Sequence, residues 1–349
     1  MAVDQSAFSI MPVLRTFLLL TILPLAPALA EKSRKPFWND PVKAEKEDPD
    51  FSIQGEYSGT EDGQKVGLQV IARGSGRFDA TLYQGGLPGQ GYDRTKAFER
   101  LNGRRKEASN EILLHGKDGL LITISPSQGV TLVDKIKGRE ARLIKVNRQS
   151  PTLGQAPPAG GIQLFSSGKD AQSSMEQNWS NGKLRGGFLL ANNIKSKQRF
   201  GSHQLHLEFR PPYRPFSSGQ GRGNSGLYLG ARWEVQILDS FGLAGRDNEC
   251  GGIYKIAAPR VNACLPPLNW QTYDVDYTGA TFDENGTRLT WPTVTIHHNG
   301  ILIHDQQPLW QDFTTAAPEK GALKPEKRPV FLQKHGNPVL YRNIWVVEK

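Results

Sequence analysis

Acidic and amide side chains that could do acid–base chemistry are concentrated in one segment, QGRGNSGLYLGARWEVQILDS, at residues 220–240. Its candidate residues are Arg222, Asn224, Glu234, Gln236 and Asp239. A β-strand points alternate side chains to opposite faces, so Val235 can enter a core while Glu234 and Gln236 share the other face. Strict alternation would turn Asp239 away from that face, and we expect a β-bulge near Leu238 to bring it back.

A second strand-like segment, HQLHLEFR, repeats this arrangement upstream. Its apolar residues alternate with His206, Glu208 and Arg210, which share one face. We expect the carboxylates of the two segments to converge, beside arginines and amides, in one hollow the size of a sugar. Such a mixture suits a site that binds a hydroxyl-rich ligand and moves protons. The alternative is that these residues form the solvated face of a sheet whose other face is buried.

Length and charge restrict the class of protein that could carry such a site. The chain has 349 residues, which is room for two domains, and a net charge of +9. Its basic residues are dispersed and no aromatic-rich binding motif accompanies them, so we expect a solvated surface and no nucleic-acid partner. We expect a hydroxyl-rich partner instead, an oligosaccharide or another glycoside. Nothing in the sequence defines the oligomeric state.

The first 30 residues have the pattern of a targeting signal. Arg15 precedes the apolar run TFLLLTILPLAPALA, which ends in small residues. This pattern predicts a secretory signal peptide over residues 1–30, cut after Ala30, and therefore an exported protein, periplasmic or secreted. The residues before Met11 add nothing to the signal, so Met1 and Met11 are alternative starts. No later segment has the ~20 apolar residues that a membrane span needs.

Short strand-like runs divide the mature chain into two all-β regions. Residues 31–50 are charged and poor in apolar residues, and they predict a linker or mobile arm. Residues 51–148 predict a small all-β amino-terminal domain, and the Pro- and Gly-rich residues 149–160 predict a second linker. Residues 161–349 contain regular short strands without long helices, which favours a two-sheet β-sandwich. The run HHNGILIH predicts a tight hairpin around Asn299 and Gly300.

Several long segments of this second region occur in an order that resembles a known family. They are HLEFR, GRGNSGLYLGARWEVQILDS, ECGGIY, APRVNAC, PPLNWQTYDVDY, VTIHHNGILIH and LQKHGNPVLYRNIWV. The region resembles the bacterial 3-keto-disaccharide hydrolase domain family, of the 3-keto-alpha-glucoside-1,2-lyase and 3-keto-2-hydroxy-glucal hydratase type. The resemblance covers about residues 161–349 and implies a concanavalin-like jelly-roll β-sandwich. Residues 51–146 resemble a companion domain that often precedes it.

The resemblance implies substrates that are glycosides oxidised at carbon 3 of a sugar. A ketone there makes the hydrogen on carbon 2 acidic, so a general base can remove it and the aglycone can leave from carbon 1. On this basis Glu234 or Glu208 would be the base, and the other of the two or Asp239 the acid. The remaining assignments are Arg210, Arg222 and Asn224 as partners of the enolate or of hydroxyls, Gln236 and Tyr254 as substrate-binding residues, and His335 as a further acid–base candidate.

Other residues of the matched segments have simpler explanations. Arg342 and Asn343 are better explained by a salt bridge or a loop tether on the last strand than by substrate contact. The aromatic rings of Trp233 and Trp270 could stack on a sugar, but core packing is the commoner use of rings of this size. His298 could position other residues of the site without contacting the substrate.

Two further chemical possibilities remain open from the sequence. Cys250 and Cys264, which are the only cysteines, could form a disulfide in an exported protein, and Cys264 stands where the family would place a small residue. A divalent cation such as Ca²⁺ could bind oxygen atoms of the loop before Cys250, although a polar loop of this kind is commonly just solvated. The candidate ligands are Asp239, Asp247, Asn248 and Glu249.

Two other functional classes are compatible with the same residues. The segment EVQILD loosely resembles the E-x-D-x-x-E strand motif of laminarinase-type jelly rolls, with Gln236 and Asp239 in place of the later two acids. A retaining glycosidase of that type needs two carboxyl groups ~5 to 5.5 Å apart. A non-catalytic carbohydrate-binding module is the third class, since the jelly-roll scaffold also hosts lectins.

Overall fold

The computed structural model describes residues 1–2, 35–125 and 127–349, and Pro36–Lys349 form one compact unit. Apart from its first two residues, the predicted signal peptide lies outside the described residues, as does Met11. Among the described helices, none is both long and apolar enough to cross a lipid bilayer.

The segment predicted as an arm at residues 31–50 is folded where it is described. Helix α1 (Pro41–Glu47) begins at Asp40, whose carboxylate accepts from Val42 N at 2.8 Å, and Ala44 is buried. Farther on, Asp50 forms a salt bridge of 2.8 Å with Arg105. The linker prediction is therefore wrong for this part, because the polar residues that suggested disorder are used as caps and buried ion pairs.

Eight antiparallel strands of the amino-terminal region form a closed barrel in which the first strand pairs with the last. Closure removes the exposed edges that an open sheet of this size would have. Alternate residues such as Val66, Leu68 and Val70 fill the barrel. The strands are β1 (Gly55–Glu61), β2 (Gln64–Ala72), β3 (Arg77–Gln84), β4 (Phe98–Arg105), β5 (Ile112–His115), β6 (Leu120–Ser125), β7 (Gly129–Asp134) and β8 (Arg139–Val146).

The remaining strands and one helix build a two-sheet sandwich, as the sequence predicts. They are β9 (Ile162–Phe165), α2 (Ala171–Asn178), β10 (Trp179–Ser180), β11 (Leu184–Arg185), β12 (Phe188–Leu190), β13 (Ile194–Phe200), β14 (His203–Arg210), β15 (Ser225–Leu229), β16 (Trp233–Ile237), β17 (Gln271–Thr278), β18 (Thr293–His298), β19 (Ile301–Pro308), β20 (Arg328–Leu332) and β21 (Leu340–Glu348). Short 3₁₀ turns occur at Gly168–Asp170 and Gly219–Gly221.

Two antiparallel sheets face each other in this jelly-roll sandwich. A five-stranded sheet has the order β10-β13-β20-β15-β16. An eight-stranded sheet has the order β11-β12-β21-β14-β17-β18-β19, with β9 pairing to β21. The predicted hairpin joins β18 to β19, where Asn299 and Gly300 have φ of +53° and +76°, as a tight primed turn requires.

The core between the two sheets decides where the polar side chains point. Leu207 and Phe209 of β14 enter it from the eight-stranded sheet, and Val235 and Ile237 of β16 enter it from the five-stranded sheet. By strand alternation, the polar residues of β14 and those of β16 therefore face outwards on opposite sides of the sandwich.

The barrel packs directly on loops of the sandwich. Gly242 O accepts a hydrogen bond of 2.8 Å from Thr81 Oγ1, and a Cβ at Gly242 would lie 2.5 Å from Ile71 Cδ1. Gly242 also has φ +72°, so its glycine serves both the backbone conformation and the close approach. Tyr213, which follows β14 of the sandwich, packs in the apolar core of the barrel.

Candidate active site

The outer face of the five-stranded sheet carries a compact set of polar and aromatic side chains. We call it the Glu234 face, and it consists of Gly226, Tyr228, Glu234, Gln236, Phe331 and Gln333. In the antiparallel register Tyr228 lies opposite Glu234 and Gly226 lies opposite Gln236. Alternation explains the set, because Leu227, Val235 and Leu332 between these residues enter the core.

Glu234 has the most unusual environment on this face. Its side chain is only 4% exposed and lies opposite Tyr228 of the neighbouring strand. Burial raises the pKa of Glu234 to about 7, while the hydrogen bond with Tyr228 lowers it in part. A carboxyl group with that pKa can accept and release a proton near neutral pH, as a general acid or base must.

The carboxyl group of Glu234 lies over a gap in the neighbouring strand. A Cβ on Gly226 would be 2.6 Å from Glu234 Oε1 and 2.9 Å from Tyr228 Cε2, closer than packed atoms approach. Gly226 has no positive φ, so the glycine is explained by this contact and not by the backbone. The missing side chain of Gly226 therefore provides the space that the carboxyl group of Glu234 occupies.

Two amides beside Glu234 hold each other in place. Gln236 Nε2 donates to Asn224 Oδ1 and to Ser225 O, both at 2.9 Å. Asn224 Nδ2 donates in turn to Gln220 Oε1 at 2.7 Å. Gln236 and Asn224 are thus brought together with Glu234 as predicted, within a rigid amide network.

Loops cover the edge and one end of the Glu234 face. Tyr254 N donates to Glu234 O at 3.0 Å along the free edge of β16. Thr314 Oγ1 accepts from Glu234 N at 3.1 Å, and Phe313 and Ala317 pack with Tyr228. Phe313, Thr314 and Ala317 come from residues 309–327, a long irregular connection between β19 and β20. The resulting enclosure excludes water, which is the cause of the raised pKa of Glu234.

Asp239 and Arg222 form a buried ion pair and are not free for substrate. Arg222 Nε donates to Asp239 Oδ2 at 2.7 Å, and both residues are at most 3% exposed. Strand β16 ends at Ile237 without a register shift against β15. Leu238 enters the core directly after Ile237, so the alternation of side chains ends with the strand. The predicted β-bulge near Leu238 is therefore absent. The acid role expected for Asp239 and the substrate role expected for Arg222 stay predictions, and in this arrangement each residue is occupied by the other.

Glu208 lies on the other side of the sandwich, so the predicted convergence with Glu234 is wrong. Arg342 Nε donates to Glu208 Oε2 at 2.6 Å, and Asn343 Nδ2 donates to Oε1 at 2.9 Å. Burial would raise the pKa of Glu208, but hydrogen bonds with His206, Asn343 and Arg342 lower it to about 2. A fully buried carboxylate held ionised in this way is a poor general base.

The Glu208 cluster fastens the connection between the barrel and the sandwich. Glu208 Oε1 also accepts from Gly154 N at 2.6 Å. Asp274 Oδ2 accepts from Thr152 Oγ1 at 2.6 Å, and Asn343 Nδ2 donates to Gln155 O at 2.9 Å. Residues 150–155 of the predicted linker are thus docked on the eight-stranded sheet, and Arg342 and Asn343 serve as the expected salt bridge and tether.

The other candidates are spread over the molecule. Arg210 lies on the eight-stranded sheet with its guanidinium 4.8 Å from the ring of Trp270, so it does not reach the Glu234 face. Trp233 is buried in the core, as is His298, which is 2.9 Å from Gln271 Oε1. His335 is exposed on the loop that follows Gln333.

Cys250 and Cys264 are buried free thiols, so the suggested disulfide is absent. Cys250 Sγ lies 3.2 Å from Tyr273 Oη. The suggested cation ligands are also apart: Asp239 pairs with Arg222, and Glu249 Oε2 accepts from Gly245 N at 2.6 Å. Within the described ranges, no group of three or more His, Cys, Asp or Glu side chains is placed to hold a metal ion.

Four residues of the Glu234 face were missed in the sequence, namely Gly226, Tyr228, Phe331 and Gln333. Alternation in SGLYLG places Tyr228 on the face opposite Leu227 and Leu229, and that signal was available. Gln333 gave no such signal because the pairing of β20 beside β15 joins segments about a hundred positions apart.

A family model matches the part of the chain that forms the sandwich. The family model described as the 3-keto-alpha-glucoside-1,2-lyase-like domain matches residues 162–347, more than half of the chain. That range contains both sheets of the sandwich and the whole Glu234 face. No curated protein matches the chain.

Solved structures similar to the chain include three from Parabacteroides distasonis, each named a "putative glycosyl hydrolase". The first has 31% sequence identity over 55% of this chain and 85% of its own, with a TM-score of 0.47. The second has 20% identity over 54% and 99%, with a TM-score of 0.38. The third has 16% identity over 57% and 92%, with a TM-score of 0.35.

Proposed function

Because this chain belongs to the family of 3-keto-alpha-glucoside-1,2-lyase-like domains, we propose that it cleaves 3-keto-glycosides by elimination, with Glu234 as the general base. The family is carbohydrate-active, and the specific reaction is our proposal. It rests on one observation above all: a carboxyl group with a pKa of about 7 is held by Tyr228 over the gap at Gly226.

The chemistry requires a base of this strength. A ketone at carbon 3 stabilises the enolate that forms when the proton on carbon 2 is removed, and the electron pair then expels the glycosidic oxygen from carbon 1. The departing oxygen takes up a proton from water, and protonated Glu234 later returns its proton to the solvent. The oxidised sugar is left as a 3-keto-2-hydroxy-glucal, across which water can add. An ordinary carboxylate would be a weak base for this step, whereas burial strengthens Glu234 as a base.

The retaining-glycosidase alternative lacks its second carboxylate at the expected positions. Such an enzyme needs two carboxyl groups ~5 to 5.5 Å apart. Glu208 faces away on the eight-stranded sheet, and Asp239 is occupied by Arg222 at 2.7 Å. This distribution favours elimination with one carboxylate over a covalent glycosyl-enzyme.

Incubation of the purified protein with a 3-keto-disaccharide in D₂O tests the proposal. We expect release of the aglycone sugar, formation of the 2-hydroxy-glucal or its hydrate, and deuterium at carbon 2 of the hydrated product. The unoxidised disaccharide is the control and should remain intact. Binding without turnover would indicate a lectin-like module, and cleavage of the unoxidised sugar through a trapped glycosyl-enzyme would indicate a retaining glycosidase.

The rate should depend on pH through the ionisation of Glu234. As a base it acts only when ionised, and burial raises its pKa to about 7. Below that value kcat/KM should therefore rise about tenfold per pH unit, and above it should level off. Initial rates from about pH 5 to about pH 9, corrected for spontaneous loss of the 3-keto sugar, measure this limb. A rate that falls over the same interval would contradict the assignment of Glu234 as base.

Gly226→Ala should displace the catalytic carboxyl group. The added Cβ would meet Glu234 Oε1 at 2.6 Å and the ring of Tyr228 at 2.9 Å. Since a misplacement of 1 Å can cost ~10²-fold in rate, we expect a loss of about that size in kcat/KM.

Gly221→Ala is the matched control, because its added Cβ would meet no atom within 4 Å and Gly221 has no positive φ. Wild-type kinetics are expected for this variant. Unchanged kinetics in a folded Gly226→Ala protein would show that the carboxyl group needs no room at this position.

A further inference from the structure

A row of hydrogen-bonded side chains crosses three adjacent strands of the five-stranded sheet. Gln333, directly after β20, donates through Nε2 to the phenol oxygen of Tyr228 on β15 at 2.9 Å. Tyr228 lies opposite Glu234 on β16 in the register, and the phenol lowers the pKa of the Glu234 carboxyl group. All three are at least nine-tenths buried.

We propose that Tyr228 is a positioning residue for Glu234 and that Gln333 Oε1 accepts a hydrogen bond from a hydroxyl group of the sugar. This inference deepens the proposed function and rests on it. Tyr228 acts through Glu234 because its side chain has no exposed surface. Gln333 would contact the substrate itself.

The direction of the hydrogen bonds in the row follows from its first donor. The amide nitrogen of Gln333 donates to the oxygen of Tyr228, so the phenol proton remains free to be donated to the carboxylate of Glu234. A carboxylate that receives this bond has a fixed orientation across the gap at Gly226. The same bond favours the ionised form of Glu234, against the burial that disfavours it.

Gln333 leaves one acceptor unused. Its Oε1 is buried and has no hydrogen-bond partner among the described residues. Leaving a buried acceptor unsatisfied costs about 1–3 kcal/mol, so such atoms usually have a function. Because the nitrogen of the same amide donates to Tyr228, Oε1 is the atom of Gln333 that is left to accept a hydrogen bond from a sugar hydroxyl.

Among the described residues, the other titratable groups that act on this row are phenols. Tyr254, on the loop along β16, raises the pKa of Tyr228. Glu234 raises the pKa of Tyr341, which lies on β21 at the core side. Since phenols are neutral near pH 7, the hydrogen bond from Tyr228 is the contact whose removal should change the titration of Glu234.

The first test removes only the phenol oxygen, in Tyr228→Phe. The titration of Glu234 is followed by carboxyl infrared or ¹³C spectroscopy as the difference from Glu234→Gln, a readout that needs no turnover. We expect the pKa of Glu234 to move above its value of about 7 in the wild type, and the rising limb of kcat/KM to move with it. Tyr57→Phe is the control and should leave both unchanged, because Tyr57 lies in the core of the barrel and its phenol donates to Ile53 O at 2.6 Å.

An unchanged titration of Glu234 in folded Tyr228→Phe would overturn the positioning role. If this variant does not fold, Gln333→Ala provides the same test, since it removes the donor that orients the phenol. If the wild type turns over no 3-keto-glycoside, the proposed function fails, whereas the spectroscopic titration still decides the role of Tyr228.

The second test concerns the hydroxyl acceptor. Wild-type and Gln333→Ala proteins are compared on a 3-keto-disaccharide and its mono-deoxy analogues. We expect one deoxy analogue to lose about 10- to 100-fold in kcat/KM with the wild type, and Gln333→Ala to lose the same factor on the parent and nothing further on that analogue. Equal losses on every analogue would overturn the contact; without turnover, the same comparison is made on dissociation constants.

Discussion

Glu234→Gln is expected to lower kcat/KM on a 3-keto-disaccharide by about 10²–10⁴-fold, the usual contribution of a positioned general base. The substitution keeps the size of the side chain and its place over Gly226 but removes the group that takes the proton. Because the amide has the size of the carboxyl group and carries no charge that burial would disfavour, the fold should be retained. Steady-state kinetics near pH 8, where most of the wild-type Glu234 is ionised, measure the loss most clearly.

Glu208→Gln is the matched control, since it makes the same chemical change on the opposite side of the sandwich. Kinetic constants per folded molecule should remain within a fewfold of the wild type. Stability should fall by about 1–3 kcal/mol, because the variant loses the charge that pairs with Arg342 at 2.6 Å. If Glu208→Gln abolished turnover while Glu234→Gln did not, the base would have to lie on the eight-stranded sheet.

Asp239→Asn is expected to lower the free energy of unfolding by about 3–5 kcal/mol, the typical cost of breaking a buried ion pair from one side. The variant would leave the guanidinium of Arg222 buried without a counter-charge, since Arg222 is 3% exposed. Two of its nitrogens, Nη1 and Nη2, already have no partner among the described residues. Denaturant titration followed by intrinsic fluorescence measures the loss.

Asp305→Asn is the control for this prediction because it breaks an exposed ion pair of the same type. Arg260 and Asp305 are 3.2 Å apart, with side chains 57% and 46% exposed. Such pairs contribute about 0–1 kcal/mol, so little change is expected. A stable Asp239→Asn protein that had lost turnover would instead restore Asp239 as a catalytic acid.

Local sequence patterns were enough for the strands and for two residues of the Glu234 face, Glu234 and Gln236. The alternation in WEVQIL predicts that Glu234 and Gln236 share a face, and the structure has them outside the core beside Asn224. The Asn299–Gly300 turn was equally readable, because a primed turn depends only on the conformations of two residues. Features of this kind are determined by neighbours in the chain.

Local sequence patterns could not show whether Glu208 and Glu234 lie on the same side of the sandwich. Both strands present a carboxylate between apolar residues, so their patterns are alike, and nothing local states which sheet each strand joins. The linker at residues 149–160 shows the same limit. Its composition predicts a flexible connection, whereas Glu208 accepts a hydrogen bond from it and Asn343 and Trp345 donate hydrogen bonds to it.

The amino-acid sequence by itself therefore determined the all-β class, the family and the face on which each polar side chain of a strand lies. Only the tertiary structure decided that Glu234 lies beside Tyr228 and Gln333, that Asp239 forms an ion pair with Arg222, and that Glu208 binds the connection to the barrel. The physical reason is that alternation is a property of one strand. Burial, pKa and hydrogen-bond partners depend on which distant strands and loops pack around it.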